Sequence, residues 1–228
     1  MRPTGAHWLY LHPRVAAFAT RHFHRVYYYW AHQTVLNTRW LGVRTVKYPT
    51  DLWIYQELLG ALRPTLIVET GTLDGGSALY FASLLELLGG EGRVLSVDIR
   101  HSDNLAEHER VEYITGSSVA PETVEHVRQV AHGAERVVVV LDSNHACDHV
   151  LAELRLYADL VTPGSYLIVE DTNLNGRPVL PGFGVGPGEA VDRFLAERRD
   201  FAPDPECERF LLTANPRGFL RRSGQPSR

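Results

Sequence analysis

Hydrophobic and polar positions follow two alternating patterns along most of the chain. Short runs rich in Val, Ile and Leu predict buried strands at residues 66–69, 93–98, 111–115, 136–141 and 165–169. Between and around these runs, apolar residues recur at helical spacing, which predicts helices at 52–62, 78–88, 121–131, 148–160 and 189–198. Strands that alternate with helices of this length indicate a doubly wound α/β domain with a mainly parallel sheet.

The two ends of the chain depart from this alternation. Residues 1–49 are rich in aromatic residues, His and Arg, with roughly helical spacing at 15–36. This extension is predicted to form an amphipathic helix that packs on the domain or on a sister subunit, or to form a lid over the substrate pocket. The domain itself is predicted at 50–222 and a frayed tail at 223–228.

Two segments near the C-terminus complete the predicted domain. Residues 173–188 form a loop dense in Gly and Pro, whose position favours a substrate flap. Residues 208–213 and 218–221 are predicted to form a closing antiparallel pair of strands.

A glycine-rich loop follows the first strand and carries the first candidate site. In a doubly wound sheet a nucleotide-like ligand lies across the C-terminal end of this strand. Gly71 would allow a sharp turn, and Gly75 and Gly76 would let a ligand approach the backbone. The dinucleotide spacing G-x-G-x-x-G is absent, whereas the observed spacing is associated with S-adenosylmethionine enzymes. The predicted cofactor residues of this loop are Glu69, Thr70, Gly71, Gly75, Gly76 and Ser77, although glycines in such turns also serve packing.

Polar residues after the next two strands extend the predicted cofactor site. Asp98 ends the second strand, at the place where a ribose diol is held in such folds. The alternative for Asp98 is a turn or helix-capping residue. Ser117 follows the third strand and is predicted to border an adenine.

Three carboxylates follow the fourth and fifth strands. Asp142, Glu170 and Asp171 would converge at the ligand-binding edge if these two strands pair. Crowded carboxylates repel one another unless a cation or protons compensate, and an all-oxygen cluster suits Mg²⁺. The alternative is a set of separate turn acids. Asp142 is also counted among the predicted cofactor contacts and catalytic residues.

A histidine three residues after Asp142 is the candidate general base. Histidine side chains titrate near neutral pH, so His145 could take a proton beside a cation-activated hydroxyl. A polar surface role is the plain alternative for a single loop histidine. Together with Cys147 and His149 it could also suggest zinc, although nearby carboxylates and the lack of a second ligand pair argue against that metal. His149 is interpreted as structural.

Composition limits the partners that are expected. The chain has 228 residues, a formal charge of −4 and a pI near 6.3, which gives no support for nucleic acid or an anionic membrane as a partner. Two cysteines do not form a disulfide framework, and neither a signal peptide nor an apolar run of transmembrane length is recognised. We therefore expect a cytoplasmic protein that acts on a small molecule. We also expect a homo-oligomer, for which the aromatic extension is the candidate subunit interface.

Several ordered motifs resemble one known family, the cephalosporin hydroxylase-like and rhamnosyl O-methyltransferase-like group of class I methyltransferases. The resemblance covers about residues 40–222. The motifs are Trp40-Leu41-Gly42, Pro49-x-Asp51-Leu52, Tyr55-Gln56-Glu57, Ile67 to Gly71, Gly75-Gly76-Ser77, Leu141 to His145, His149-Val150, Glu153-Leu154, Pro163 to Tyr166, Val169 to Thr172, and Asn215-Pro216-x-Gly218-Phe219-Leu220.

The resemblance implies a Rossmann-like sheet of seven strands, mostly parallel with the last antiparallel, that binds S-adenosylmethionine. It further implies Mg²⁺ at Asp142, Glu170 and Asp171, with His145 as the general base. The implied reaction is O-methylation of a deoxysugar such as rhamnose, as nucleotide sugar or glycoside, in natural-product or antibiotic biosynthesis. A catechol-type O-methyltransferase and a cofactor-binding accessory subunit are the alternatives. No haem ligand or iron triad is recognised, so oxygenase chemistry is rejected.

Overall fold

The computed structural model describes residues 12–224. Trp8 and Tyr10 of the predicted extension, and residues 225–228 of the predicted tail, lie outside this range. The helices are α1 (Pro13–Tyr29), α2 (Pro49–Leu62), α3 (Gly76–Leu88), α4 (Pro121–Ala131), α5 (Cys147–Tyr157) and α6 (Pro187–Glu197). The strands are β1 (Arg39–Trp40), β2 (Val43–Arg44), β3 (Leu66–Thr70), β4 (Arg93–Asp98), β5 (Val111–Thr115), β6 (Val137–Leu141), β7 (Tyr166–Val169), β8 (Phe201–Pro203) and β9 (Phe219–Arg222).

Seven of these strands form one sheet in the order β5-β4-β3-β6-β7-β9-β8. Strands β3 to β7 pair in parallel, and β9 is antiparallel to both β7 and β8. The predicted seven-stranded, mostly parallel sheet with an antiparallel closing strand is therefore confirmed. Its central strands are buried along their whole length because helices cover both faces.

Both faces of the sheet carry a continuous apolar core. One core lies beneath α4, α5 and α6, and the other lies beneath α2 and α3. The fully buried Tyr157 and Phe194 belong to the first core, and Tyr55 and Phe81 belong to the second. Within residues 12–224, no helix combines the length and the apolar character that crossing a membrane requires.

The closing pair of strands differs from the prediction. The segment predicted as a strand at 208–213 is instead a turn that follows a short 3₁₀ helix at Pro205–Glu208. Two of its apolar side chains, Phe210 and Leu211, are exposed, and the third, Leu212, packs against a small cluster of Val35, Tyr48 and Ala214 rather than in the sheet. The partner of β9 is β8, because Phe201 is buried against Phe194 with ring centroids 5.4 Å apart.

The N-terminal helix is shorter than the predicted range of 15–36. It ends at Tyr29, where the Thr34 hydroxyl donates hydrogen bonds to the carbonyls of Tyr27 and Trp30 and so satisfies groups at the helix end. A short antiparallel hairpin of β1 and β2 follows, which the apolar pattern did not predict. Helix α2 begins at Pro49, three residues before the predicted start, as expected for proline in a first turn.

Candidate active site

Four neighbouring strands end together and bring the predicted site residues to one edge of the sheet. Thr70 at the end of β3 lies opposite Val97 of β4 and Leu141 of β6, and Leu141 lies opposite Val169 of β7. The residues that follow these strand ends therefore meet at the same edge. Several cavities lie there, and three of them contain the residues that the sequence singled out.

The first, which we call the loop cavity, has a volume of about 250 Å³. Five of the predicted cofactor residues line it, namely Gly71, Gly76, Ser77, Asp98 and Asp142. Its remaining lining residues are Arg44, Thr45, Val46, Thr72, Leu73, Ser143, His145 and Asp171. The glycine loop and the end of β6 thus form opposite sides of one elongated site.

Asp98 holds the glycine loop in addition to lining the cavity. One of its carboxylate oxygens accepts hydrogen bonds from the backbone N–H groups of Thr72 and Leu73, at 2.8 and 3.2 Å. The other accepts from the backbone N–H of Arg100 at 3.3 Å. Asp98 therefore stabilises the turn, as the alternative expected, and it also lies where it could contact a ligand.

The glycines of the loop are required by contacts within the chain. A Cβ on Gly71 would overlap the carbonyl of Asp142, and a Cβ on Gly76 would overlap the carbonyl of Arg44. A Cβ on Gly75 would lie 2.7 Å from the hydroxyl of Tyr113. Gly75 and Gly76 were expected to be glycines because a ligand comes close to the backbone. In the structure, neighbouring segments of the chain come close to them instead.

Glu69 and Thr70 lie beneath the cavity and are fully buried in β3. Glu69 accepts a hydrogen bond from the Ser96 hydroxyl at 2.7 Å. Burial raises the pKa of Glu69 to about 7, although Lys47 opposes this rise. The two residues support the loop from inside the sheet.

A second cavity of about 140 Å³, which we call the serine cavity, adjoins the loop cavity at Asp98 and Ser143. The predicted Ser117 lines it, as do Ser118 and His149. The cavity thus lies at the ends of β4 and β5, where an adenine was predicted.

His149 belongs to a polar network in the wall of the serine cavity. Its Nε2 lies 3.1 Å from the Ser118 hydroxyl and 3.2 Å from the Ser143 hydroxyl. The Ser143 hydroxyl donates to the buried Glu153 at 2.7 Å, and a hydrogen bond to Glu153 raises the pKa of His149. Sequence reasoning interpreted His149 as structural, although its spacing of four residues from Glu153 on one helix could have indicated the pair.

Carboxylates and an imidazole come together where β6 and β7 end. Among residues 12–224, the group that could hold a metal ion consists of Asp142, His145 and Asp171, whose ligand atoms lie within 4.8 Å of one another. The Nε2 of His145 lies 3.1 Å from a carboxylate oxygen of Asp171. Removal from water raises the pKa of Asp142 and Asp171, while His145 opposes both shifts. Cys147 is not part of this group, so the structure gives the zinc alternative no support.

Glu170 lies next to this group but points into a more deeply buried network. Its carboxylate accepts a hydrogen bond from the Tyr55 hydroxyl at 2.5 Å and lies 3.1 Å from the ammonium group of Lys47. Lys47 also forms an ion pair with Asp142. Burial lowers the Lys47 pKa, but the surrounding carboxylates outweigh burial and raise it above its usual value.

Lys47 and Tyr55 were missed by sequence reasoning. Lys47 is the only lysine in a chain with twenty-two arginines, and its side chain is 3% exposed. Lysines are almost never buried unless they are paired, so a single lysine in an arginine-rich chain could have been noticed. Tyr55 belongs to helix α2, which is remote in sequence from Glu170, and no local pattern in the sequence indicates that the two side chains are in contact.

A third cavity of about 330 Å³, the apolar cavity, lies on the other side of the acids. It shares Val46, Asp142, His145 and Asp171 with the loop cavity. Most of its remaining lining is apolar or aromatic, namely Tyr28, Ala31, Val35, Leu36, Tyr48, Leu174, Leu180, Phe183 and Ala214, beside Lys47 and Glu170. The N-terminal extension and the Gly- and Pro-rich loop both contribute residues to this lining, and their roles as lid and flap stay predictions.

Comparisons with known proteins agree on one family. The model of the family described as Rhamnosyl O-methyltransferase/CmcI matches residues 32–223. Rhamnosyl O-methyltransferase of Mycobacterium tuberculosis (strain ATCC 25618 / H37Rv) is 39% identical over 224 residues, with 92% of this chain and 91% of that protein covered. Its counterpart in Mycobacterium leprae (strain TN) is 41% identical over 193 residues, with 81% and 83% covered.

Solved structures show the same fold. A CmcI apo structure superposes with a TM-score of 0.66 at 25% identity and covers 83% of this chain and 78% of that chain. A CmcI structure with Mg and SAM superposes with a TM-score of 0.65 at 24% identity and covers 82% and 77%.

Proposed function

The chain belongs to the Rhamnosyl O-methyltransferase/CmcI family, and we propose that it transfers a methyl group from S-adenosylmethionine to a sugar hydroxyl with the help of Mg²⁺. One observation carries this proposal. The loop cavity and the apolar cavity meet at Asp142, His145 and Asp171, so a cofactor in one cavity and an acceptor in the other would share a single acidic wall.

The residues at this wall fit a divalent cation. Asp142, Glu170 and Asp171 are the proposed ligands, and carboxylate oxygens are the ligands that Mg²⁺ prefers. Lys47 already neutralises one of these three negative charges. The two charges left would match those of a divalent cation.

The loop and serine cavities fit S-adenosylmethionine. Gly71, Gly76 and Ser77 would contact the amino-acid part, Asp98 the ribose, and Ser117 the adenine. When bound, S-adenosylmethionine supplies the methyl group, and Mg²⁺ supplies the positive charge that makes a neighbouring hydroxyl more acidic.

His145 is the proposed general base. Its Nε2 faces Asp171 at 3.1 Å, which leaves Nδ1 as the nitrogen that accepts the proton of the acceptor hydroxyl. Asp171 then stabilises the charged imidazole through the Nε2–H group, as a carboxylate does for a histidine base. The apolar walls exclude water and hold the acceptor in place, which contributes much of the rate in such reactions.

The lining of the apolar cavity favours one kind of acceptor. Among the described lining residues, Lys47 is the one permanent cation, and it is occupied by Asp142 and Glu170. A nucleotide sugar would need free cations for its diphosphate. We therefore favour a finished glycoside of a deoxysugar such as rhamnose, joined to an apolar natural product. An aromatic diol would also suit Tyr28 and Phe183 in the lining, so a catechol is the second candidate acceptor.

Methyl transfer measured by mass spectrometry tests the proposal. The purified protein and S-adenosylmethionine would be offered rhamnosylated natural products, nucleotide deoxysugars and catechols, with Mg²⁺ or with EDTA. We expect one added methyl group on the sugar of a glycoside, lost with EDTA and lost in Asp142→Asn. Asp148→Asn is the matched control, since Asp148 lies in the first turn of α5 with a 94% exposed side chain. Cofactor binding without transfer to any acceptor would favour an accessory subunit instead.

A further inference from the structure

Positive and negative charges are separated along this chain. Residues 1–50 contain seven arginines and lysines and no aspartate or glutamate. The remaining residues contain sixteen basic and twenty-seven acidic side chains. The formal charge of −4, from which no anionic membrane partner was expected, hides this separation. Arg44 and Lys47 pair with acids of the domain, but helix α1 carries arginines and no acid, and such a local excess of positive charge attracts anionic surfaces.

Helix α1, at Pro13–Tyr29, attaches to the rest of the protein through one side. His24 is buried and accepts a hydrogen bond from the side chain of Asn173 at 3.0 Å. The Tyr27 ring packs on the Tyr48 ring with centroids 4.8 Å apart, and the Arg25 guanidinium donates to the carbonyl of Pro178 at 3.1 Å. These contacts fix which side of the helix faces outward.

The outward side of α1 is apolar and aromatic. Five large side chains at helical spacing are each more than half exposed, namely Phe18, Phe23, Val26, Tyr29 and the capping Trp30. Arg14 and Arg21 of the same helix are also exposed. An exposed aromatic stripe of this kind is unusual on a protein that meets only water.

We propose that α1 lies on an anionic lipid surface. Exposed Phe and Trp side chains on a helix enter the boundary between headgroups and acyl chains, while neighbouring arginines bind lipid phosphates. A second copy of this chain covers the stripe less well, because it would bring together two copies of a helix that exposes Arg14 and Arg21 and contains no acid. This surface is independent of the reaction proposed above.

The position of α1 also relates the proposed lipid-binding surface to the apolar cavity. Tyr28 of the same helix lines the apolar cavity. Binding through α1 therefore holds that cavity beside the lipid boundary, within reach of acceptors that partition into lipid.

Vesicle flotation with the full chain tests the proposal. We expect the protein to float with mixed phosphatidylcholine and phosphatidylglycerol vesicles, to lose binding in high salt, and to bind poorly to phosphatidylcholine alone. Arg14→Gln with Arg21→Gln should weaken binding roughly thirtyfold, from the contribution of two basic side chains near an anionic surface. Phe23→Ser with Trp30→Ser should abolish it.

Control variants and light scattering distinguish lipid binding by α1 from dimer formation. Leu87→Ser and Arg155→Gln remove an exposed apolar side chain and an exposed arginine elsewhere, and should leave flotation unchanged. Equal loss in these controls, or no flotation by the native protein, would overturn the proposal. Light scattering that shows a dimer dissociated by Phe23→Ser, without vesicle binding, would assign the stripe to a second copy instead. Circular dichroism would confirm that each variant is folded.

Discussion

Replacing Lys47 with methionine tests the electrostatic organisation of the site. The ammonium group is buried and forms ion pairs with Asp142 and Glu170, so its removal leaves two carboxylates without their shared cation. Breaking a buried ion pair by removing one partner costs about 3–5 kcal/mol. Methionine has a similar shape, which keeps the loss of packing small. We expect the free energy of unfolding, measured in urea without added metal, to fall by about this amount.

An exposed ion pair on the same segment provides the control. Arg44 pairs with Asp74 at 2.6 Å, but its side chain is 40% exposed, so Arg44→Met should cost only about 0–1 kcal/mol. A loss of stability in Lys47→Met as small as that of the control would refute the reasoning.

The pH dependence of the Lys47→Met effect separates charge from packing. Burial already raises the pKa of Asp142 and Glu170, and loss of the opposing Lys47 charge raises both further. A carboxyl group whose pKa is raised on folding contributes stability at low pH, which is lost as the pH rises through the folded pKa. The deficit of the variant should therefore be largest near neutral pH and shrink under acidic conditions. A deficit that does not change with pH would indicate lost packing alone.

Three further predictions follow from single contacts. Burial raises the pKa of Asp51 to about 8, so the free energy of unfolding should fall as the pH rises toward that value. The fall should be smaller in Asp51→Asn. The same pH dependence in the native protein and the variant, measured by urea unfolding, would contradict this. His149→Ala should weaken binding of S-adenosylhomocysteine roughly tenfold, because it removes the hydrogen bonds to Ser118 and Ser143 in the cavity wall. Calorimetry that gives an unchanged Kd would exclude the serine cavity as part of the cofactor site. Gly76→Ala should force the β1–β2 hairpin away from the loop and cost about 1–3 kcal/mol in the same urea assay, whereas unchanged stability would show that the hairpin adapts.

Much of the site could be predicted because strand ends are visible in the sequence. Each apolar run ends at a definite residue, and parallel strands place the residues after their C-terminal ends at one edge of the sheet. Asp98, Asp142 and Asp171 reach the cavities in this way. The predicted positions of these residues depend only on where each apolar run ends, so small errors in the predicted helix bounds do not affect them.

The contacts that regulate charge at the site could not be predicted by this reasoning. Lys47 lies in an irregular segment between β2 and α2, and Tyr55 lies on the buried side of a helix. Their approach to Glu170 depends on how α2 packs against the sheet, and an amphipathic pattern does not specify the partner of a buried side chain. The predicted strand at 208–213 was wrong for a related reason, since an apolar run does not show by itself whether it is buried.

The short segment of residues 44–48 connects the extension to both cavities of the domain. Its first residues line the loop cavity, its last residues line the apolar cavity, and Val46 lines both. Val46 adopts a left-handed backbone conformation with φ of 52°, which a β-branched residue tolerates only when its surroundings enforce it. The next residue, Lys47, forms ion pairs with Asp142 and Glu170, so the acids proposed to bind the metal also anchor this segment at the junction of the two cavities.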